Sequence, residues 1–470
     1  MEYQDFISQR EYKTINAGFE PDQSQYPGEM FDHQRAVVSW ACRRGRAGVF
    51  MDTGLGKTIT QLTWADQVQK HTGGVVLLLA PLAVAHQTER EAKKFGLNAK
   101  FVSSESEVTN AGIYITNYEK LHHFDSETWA GVVLDESSIL KGMMGKVREQ
   151  ITEFFSETPY RLSCTATPSP NDFMEIGTQS EFLGIMSQLE MLAMFFIHDT
   201  AGTTTDWRLK GHGKYKFWEW LSTWCVFMRY PSDIGFDSEC YELPPVEMHS
   251  YEIITKPTGG QLFAEPAQSL QERNEARRET VEDRCKKAAD VVNALSEPCV
   301  VWCNLNSESE LLTKLIDGAV EVTGSDKPEH KSKAMLDFAD GKIKCLVTKP
   351  KIAGFGMNWQ STHHCVFVGL SDSWESYYQA IRRQWRFGQK ETVHCHVISA
   401  DVEGAVVDNI RRKDEQHKEL SIAMMEQMRD FMKKEVLGAS VEVTDYEANQ
   451  EIQIPIWLVT KNEKQAQSSN

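Results

Sequence analysis

Two short stretches hold residues whose types and spacing can do chemistry. The first is "MDTGLGKTIT", Met51 to Thr60. It ends like the phosphate-binding pattern G-x-x-x-x-G-K-[ST], with Met51 at the first glycine position. A phosphate loop needs a strand before it, glycines that let backbone N–H groups converge, and a helix after it. Gly48 to Met51 offers the strand, Gly54 and Gly56 the bend around Thr53 and Leu55, and Thr58 to Gln69 the helix. Lys57 would reach the β- and γ-phosphates of a nucleoside triphosphate, and the Thr58 hydroxyl would join a Mg²⁺ shell. Methionine at position 51 removes some loop freedom but none of these donors. Taken alone, the stretch also reads as a glycine turn before a surface helix.

The second stretch is "VVLDESSILKG", Val132 to Gly142. An apolar strand ending in Asp135-Glu136 puts two carboxylates at the carboxyl edge of a sheet, where ligands bind in open α/β folds. Asp135 would hold Mg²⁺ through its waters, and Glu136 would orient and deprotonate an attacking water. A strand-end acid pair in a solvated turn is the plainer reading. A phosphate loop upstream in the same sheet argues against it.

These residues need a scaffold that brings strand ends together. Val75 to Ala80, Ile113 to Thr116, Val132 to Leu134 and Arg161 to Thr165 read as short buried strands, with helices such as Val84 to Phe95 between them. Strand–helix alternation predicts a parallel sheet covered on both faces. From Glu175 to Arg229 the pattern turns helical, with Trp207, Trp218, Trp220 and Trp224. The rhythm resumes at Cys299 to Cys303, Glu321 to Thr323, Cys345 to Thr348, Cys365 to Val368 and Val393 to Ile398. The helices between are Ser307 to Ile316, Pro328 to Ala339 and Trp374 to Arg386. The double proline in "YELPPVEMHSYEI", Tyr241 to Ile253, favours an extended crossing between two α/β lobes. Gln268 to Leu295 and Val402 to Val436 read as helices, and the final "QAQSSN" as disordered.

Length and composition agree. A chain of 470 residues with 41% apolar content suits two or three domains. No apolar run approaches the roughly 18 residues of a membrane span, and the polar N-terminus is no secretory signal. The 10 cysteines are scattered without a CxxC pair, which predicts reduced thiols in a cytosolic protein. "HHC", His363 to Cys365, and "HCH", His394 to His396, lie in strand-like segments. Alternate residues there face opposite ways, which argues against a metal site at either. A net charge of −17 counts against broad, nonspecific nucleic-acid binding by the whole surface but leaves room for a local basic track.

At this point the chain resembles a known family. "GLGKT", "LDES", "CTATP" (Cys164 to Pro168), "GFGMNW" (Gly354 to Trp359) and "QAIRRQWRFGQ" (Gln379 to Gln389) occur in the order of superfamily 2 helicase motifs. The Phe-Gly-Gln ending and "LPP" at Leu243 to Pro245 resemble the Swi/Snf-type branch of DNA translocases. The resemblance covers roughly Phe31 to Arg412. It implies an α/β fold of two RecA-like parallel-sheet lobes, with a helical insertion between them and ATP and Mg²⁺ in the cleft. The lobes would be residues 1–174 and 241–436, the insertion 175–240, and 437–470 a tail. Gln34 matches the adenine-reading glutamine, Phe31 would stack near the base, and Gly356 would lie at the nucleotide. Arg383 and Arg386 match the arginine fingers. At spacing i, i+3 the two would share one helix face, and their guanidinium forks suit transferring phosphate oxygens. The chain departs from the family at Ser137-Ser138, where Ala-His is common, and at Lys349 and Lys351, near a usual arginine.

The resemblance also implies a nucleic-acid track past Pro81, Thr116, Asn117 and Asn358. Trp359 would stack or wedge there, or else cap the core of the second lobe. Contacts to phosphates read backbone rather than bases. The expected activity is ATP-driven translocation on double-stranded DNA. Strand separation or branch migration is the alternative, and a nucleotide-gated binding subunit a third reading. With no nuclease motif of its own, such a motor would leave a nuclease, or a replication or recombination partner, to a separate chain. Its setting would be the cytoplasm of a bacterium or a virus-infected cell, with no membrane role.

Overall fold

The computed structural model describes residues 18–141, 145–169, 173–199, 206–254, 278–353, 357–370, 373–401 and 404–437. In the first half, β1 (Arg46–Met51), β2 (Val75–Ala80), β3 (Ala99–Phe101), β4 (Gly112–Asn117), β5 (Trp129–Asp135) and β6 (Tyr160–Thr165) form one sheet. A short hairpin, β7 (Phe196–Asp199) with β8 (Asp206–Leu209), follows, and then β9 (Cys225–Met228). The sheet order is β3-β4-β2-β5-β6-β1-β9, with every pair parallel. The apolar run of β2 is buried on both faces, as a parallel sheet between helix layers requires. Helices α1 (Asp32–Arg44), α2 (Lys57–Thr72) and α3 (Leu82–Lys94) belong to these layers.

The tryptophan-rich segment is built onto this first sheet. Its helix α4 (Lys214–Trp224) buries Trp218 and Trp224, and β9 then pairs with β1. These tryptophans are core-makers, as large apolar side chains usually are.

The second sheet comprises β10 (Val246–Ile253), β11 (Cys299–Trp302), β12 (Ala319–Val322), β13 (Cys345–Thr348), β14 (His364–Val368) and β15 (Val393–Ala400). Its order is β10-β15-β14-β11-β13-β12, again all parallel. The crossing after the double proline is extended as expected, and it continues as edge strand β10. Helices α5 (Val281–Ala294) and α6 (Asn306–Leu315) pack on one face of this sheet. The remainder of the charged helix expected from Gln268 lies outside the described residues, as does the C-terminal tail. Two parallel α/β sheets in series are the expected fold class.

The last helix, α8 (Gly404–Leu437), follows α7 (Trp374–Ile381) and β15 and returns to the first lobe. Met424, Met428 and Met432 recur every fourth residue, and with Met425 and Val436 they are buried in the first lobe's core. Unbranched methionines suit such a long seam because they adapt to irregular gaps.

All ten cysteines are free. No described helix is long and apolar enough to cross a membrane.

Candidate active site

The chain leaves β1 at Met51, turns through Asp52 to Gly56, and enters α2 at Lys57. Gly54 (φ +92°) and Gly56 (φ +83°) hold left-handed conformations that favour glycine. Space is as tight as the backbone. A Cβ at Gly54 would lie 2.8 Å from the backbone nitrogen of Phe387, and one at Gly56 only 2.2 Å from Gln34 Nε2. Phe387 belongs to the second lobe, so the far lobe rests directly on this loop.

Gln34 ties α1 to the loop. Its Nε2 donates to the Leu55 carbonyl at 3.0 Å, while its Oε1 accepts from the Phe31 amide at 3.0 Å. An amide has two donors and two acceptor lone pairs. One of each therefore remains for a base. Phe31 is 42% exposed. It stands 5.7 Å from Tyr241 and 5.9 Å from Phe387, an aromatic enclosure drawn from both lobes and the crossing.

Lys57 Nζ donates to the carbonyls of Met51 (2.8 Å) and Asp52 (3.2 Å). Burial draws its pKa below the usual lysine range, with Glu136, Asp52 and Asp135 opposing. The facing acids sit at the end of β5. Burial, reinforced by the neighbouring Glu136 charge, pushes the Asp135 carboxyl up to about 7. Glu136 is the one described non-glycine residue with positive φ, at 58°. A left-handed non-glycine residue stores strain on the order of 1–3 kcal/mol, and such strain clusters at functional sites. Its carboxylate accepts from Thr165 Oγ1 at 3.0 Å and Ser138 Oγ at 3.3 Å.

These residues fit Mg²⁺ and a triphosphate. The buried Asp135 carboxylate beside the half-buried Glu136 carries an electrostatic cost that a divalent cation would relieve. The left-handed glycines leave a cradle that a single Cβ would fill. Asp135 and Thr58 would hold the cation, and Lys57 with the loop amides would hold the phosphates.

The second lobe completes the site with more than the sequence indicated. Gln379 Nε2 donates to Glu136 Oε1 at 3.3 Å. Tyr378 Oη donates to Asp52 Oδ1 at 2.9 Å, and Arg382 Nη2 lies 2.7 Å from Asp52 Oδ2. Burial alone would raise the Asp52 carboxyl, but Arg382, the Thr53 amide, Lys57 and Tyr378 hold it below its usual range. Away from the loop, Lys141 pairs with Glu375, and Asn358 Nδ2 donates to Glu91 Oε1 at 3.2 Å.

Arg383 and Arg386 do not lie on one face of a continuous helix. The α7 helix ends at Ile381, and both arginines fall in the irregular turn beyond it. Side chains pull the backbone there out of register. Gln384 Nε2 donates to Thr362 Oγ1 and the His364 carbonyl, and Gln389 Nε2 to the Thr362 carbonyl. Burial lowers Arg383 to about 9, with Arg386 adding to the effect and Glu136 and Asp135 opposing it. Arg383 Nε donates to the Gln379 carbonyl at 2.9 Å. Burial also lowers Arg386, to about 10, and its Nη1 donates to the Met357 carbonyl at 3.2 Å.

The residues assigned to a nucleic-acid track separate. Pro81 lines a cavity of about 460 Å³ between the lobes, with Arg90, Lys141, Lys331, Lys351 and Glu136 also in its wall. Asn358 bridges the lobes through Glu91. Thr116 is fully buried, its hydroxyl donating to the Val102 carbonyl, and Asn117 is 4% exposed and bonded to Glu119. Their strand β4 lies inside the sheet, so these side chains face packing. Trp359 is fully buried beside Trp302 and Phe338, with Nε1 donating to the Met335 carbonyl. It is a core residue and offers no face for stacking. Gly356 lies outside the described residues.

Fold and site together define a two-lobed P-loop protein. Residues 24–170 match the family of type III restriction enzyme res subunits, and residues 284–388 match the helicase conserved C-terminal domain. In this order the two matches support a protein of the superfamily 2 helicase type. A comparison with curated proteins finds no match. Among solved structures, the chain is similar to the Sulfolobus solfataricus SWI2/SNF2 ATPase core in complex with dsDNA. The identity is 16%, covering 81% of this chain and 90% of that one, with a TM-score of 0.41.

Proposed function

We propose that this chain is an ATP-driven motor that moves along double-stranded DNA, using Mg²⁺ and ATP between its lobes. One observation carries the reading. Glu136 is held at once by Thr165 of its own lobe and Gln379 of the other. A hydrolytic carboxylate gripped from both sides can sense lobe closure, the coupling a motor needs. When bound at Asp135 and Thr58, Mg²⁺ would neutralise phosphate charge. Lys57 and the loop amides bind the triphosphate. Glu136 orients water and takes its proton, and Arg383 and Arg386 face the charge developing on the transferring phosphoryl group.

In this reading residues 1–174 and 241–436 are the motor lobes and 437–470 a tail, with the segment 175–240 adding β9 to the first lobe's sheet and α8 packing back into the first lobe's core. The Phe-Gly-Gln ending and "LPP" favour the duplex-tracking, Swi/Snf-like branch over strand separation. The basic residues lining the interlobe cavity supply a site for phosphates, with Pro81 and Asn358 beside it. ATP turnover with duplex DNA, single-stranded DNA and RNA tests the proposal. Preferential stimulation by duplex DNA, without release of a labelled strand, is expected. Strand release would indicate a helicase, and no stimulation by any nucleic acid would end the motor reading.

A further inference from the structure

The second sheet presents an unusual patch at the amino ends of its strands. Its strands are parallel, so these ends gather on one edge, beside the turn that carries Arg383 and Arg386, whose Gln384 donates to the His364 carbonyl. The register aligns Glu247, His394 and His364 in one row across β10, β15 and β14. His249 and His396 align in the next row. Partnered residues of neighbouring strands point to the same face. Further along that face the rows become Tyr251, Ile398 and Val368, packed under α5 and α6. At the rim, histidines stand where apolar residues would extend the core.

Three donor atoms converge there. His249 Nε2 lies 3.1 Å from His394 Nδ1. Glu247 Oε2 lies 3.5 Å from His394 Nδ1 and 4.0 Å from His249 Nε2. Metal–nitrogen and metal–oxygen bonds of about 2.0–2.1 Å in a tetrahedron put neighbouring ligand atoms about 3.4 Å apart. The observed triangle is close to one face of that tetrahedron. Only one of its three edges is a hydrogen bond, an imidazole–imidazole contact, and the carboxylate aims between the rings.

The rings are braced from behind. His394 stacks on His364 at 5.0 Å and 18°, and His249 on His396 at 4.8 Å and 22°. His364 Nδ1 meets His396 Nε2 at 3.4 Å, while its Nε2 meets Glu297 Oε2 at 2.9 Å. Stacking of this kind limits how far the His249 and His394 rings can turn. Glu247 is 56% exposed, which leaves an entry path for an ion.

We propose that Glu247, His249 and His394 form a binding site for one divalent transition-metal ion of the zinc class, with water completing its shell. Two imidazoles and one carboxylate suit zinc, and also cobalt as its spectroscopic substitute, better than Mg²⁺ or Ca²⁺. The ion would pin β10, the strand that continues the interlobe crossing, to β15. A second triad, Glu297 with His363 and His364, is accounted for differently. Glu297 Oε2 lies 2.8 and 2.9 Å from the two ring nitrogens, distances that ordinary hydrogen bonds explain.

The test uses the untagged full-length chain, stripped with EDTA and dialysed. Titration with Co²⁺ followed by visible absorption, and with Zn²⁺ by calorimetry, should give one saturable equivalent. Zn²⁺ should also raise the melting temperature. Loss of an outer-shell partner typically costs 10–100-fold in metal affinity. Glu247→Gln, His249→Ala and His394→Ala, each removing a ligand, should therefore weaken binding by more than about 100-fold. Glu247→Gln alters a mostly exposed side chain, so its fold, checked by circular dichroism, survives even if a histidine variant fails. Glu297→Gln should keep the single equivalent with at most the outer-shell loss. Absence of saturable binding in the wild type would overturn the proposal. So would binding that survives Glu247→Gln and His249→Ala but is lost in His363→Ala, which would place the ion in the other triad.

Discussion

Arg382 of the second lobe places its Nη2 2.7 Å from Oδ2 of Asp52, at the head of the phosphate loop. Tyr378 reaches the same carboxylate, and Arg382 packs over Trp385 at 4.3 Å. The ion pair is mostly shielded, with side-chain exposures of 9% and 20%. Partial shielding makes it worth more than a surface pair and less than a fully buried one. A double-mutant cycle between Arg382→Ala and Asp52→Asn should give a coupling of about 1–3 kcal/mol. In the nucleotide-free chain, Arg382→Ala should also open the cleft, read as a larger radius of gyration in solution scattering. An unchanged radius would mean that the pair does not hold the lobes together.

Glu136 and Lys57 should fail differently. Glu136→Gln keeps shape and can still accept from Thr165, but it loses the base. ATP should still bind while turnover collapses. Lys57→Ala removes a phosphate contact and should weaken binding as well as chemistry. Equilibrium binding of labelled ATP beside steady-state hydrolysis separates the two. Near-normal hydrolysis by Glu136→Gln would remove Glu136 from its assigned role.

Asp135 gives a pH prediction with a definite sign. Its carboxyl is raised to about 7 in the folded chain, against roughly 3.9 when unfolded. The folded state therefore retains a proton between about pH 4 and 7 that the unfolded chain has lost. Stability from this group is full below the unfolded value and is lost as pH rises through 7. The difference is on the order of 4 kcal/mol. Without Mg²⁺, Asp135→Asn should melt several degrees above wild type at pH 8 and level with it near pH 4, while turnover is abolished. A variant less stable than wild type at pH 8 would show that attraction to Lys57 outweighs burial. Mg²⁺ must displace that proton, so its apparent affinity should rise with pH and plateau above 7.

Gly54 tests the fit between the loop and the second lobe. Its φ of +92° disfavours any side chain, and a Cβ there would strike the Phe387 backbone. Gly54→Ala should weaken ATP binding through loop strain. It should also reduce the gain in protease resistance that accompanies lobe closure with ATP. Unaltered closure would mean that Phe387 leaves the loop when nucleotide arrives.

Local signals made much of this molecule readable. The run forming β2 is apolar throughout, that forming β13 is apolar up to its final Thr348, and the helix at Pro328–Ala339 opens on a proline. The strand β9, "CVFM", was hidden because four apolar residues inside a tryptophan-rich helical stretch carry no period of their own. The bond between Arg382 and Asp52 joins positions 330 residues apart, which no spacing rule reveals. The histidine patch was missed for a related reason. Alternation within β15 does put Cys395 on the other face from His394 and His396. The ligand set, however, runs across strands, through Glu247 and His249 on β10. Arg383 and Arg386 were found by motif, but the helix assumed to carry them ends at Ile381 because Gln384 and Gln389 bind backbone elsewhere.

The placement of Arg383 and Arg386 makes the last prediction. Both come from the second lobe, in a turn whose backbone is fixed by Thr362 and the β14 strand. Burial and mutual repulsion disfavour two guanidinium groups this close, and the acids Asp135 and Glu136 only partly compensate Arg383. A transferring phosphoryl group would supply the missing negative charge. Arg386→Ala should therefore slow turnover at saturating ATP by about 10³-fold, the scale of arginine fingers, while leaving much of the ATP and DNA binding. Duplex DNA that touches both lobes would favour their closed arrangement and stimulate the wild type. That stimulation should shrink in Arg383→Ala and in Arg386→Ala. The comparison is turnover with and without duplex DNA across wild type and both variants. Full DNA-stimulated turnover in both arginine variants would mean that the second lobe does not complete the cleft, and the motor mechanism would have to be abandoned.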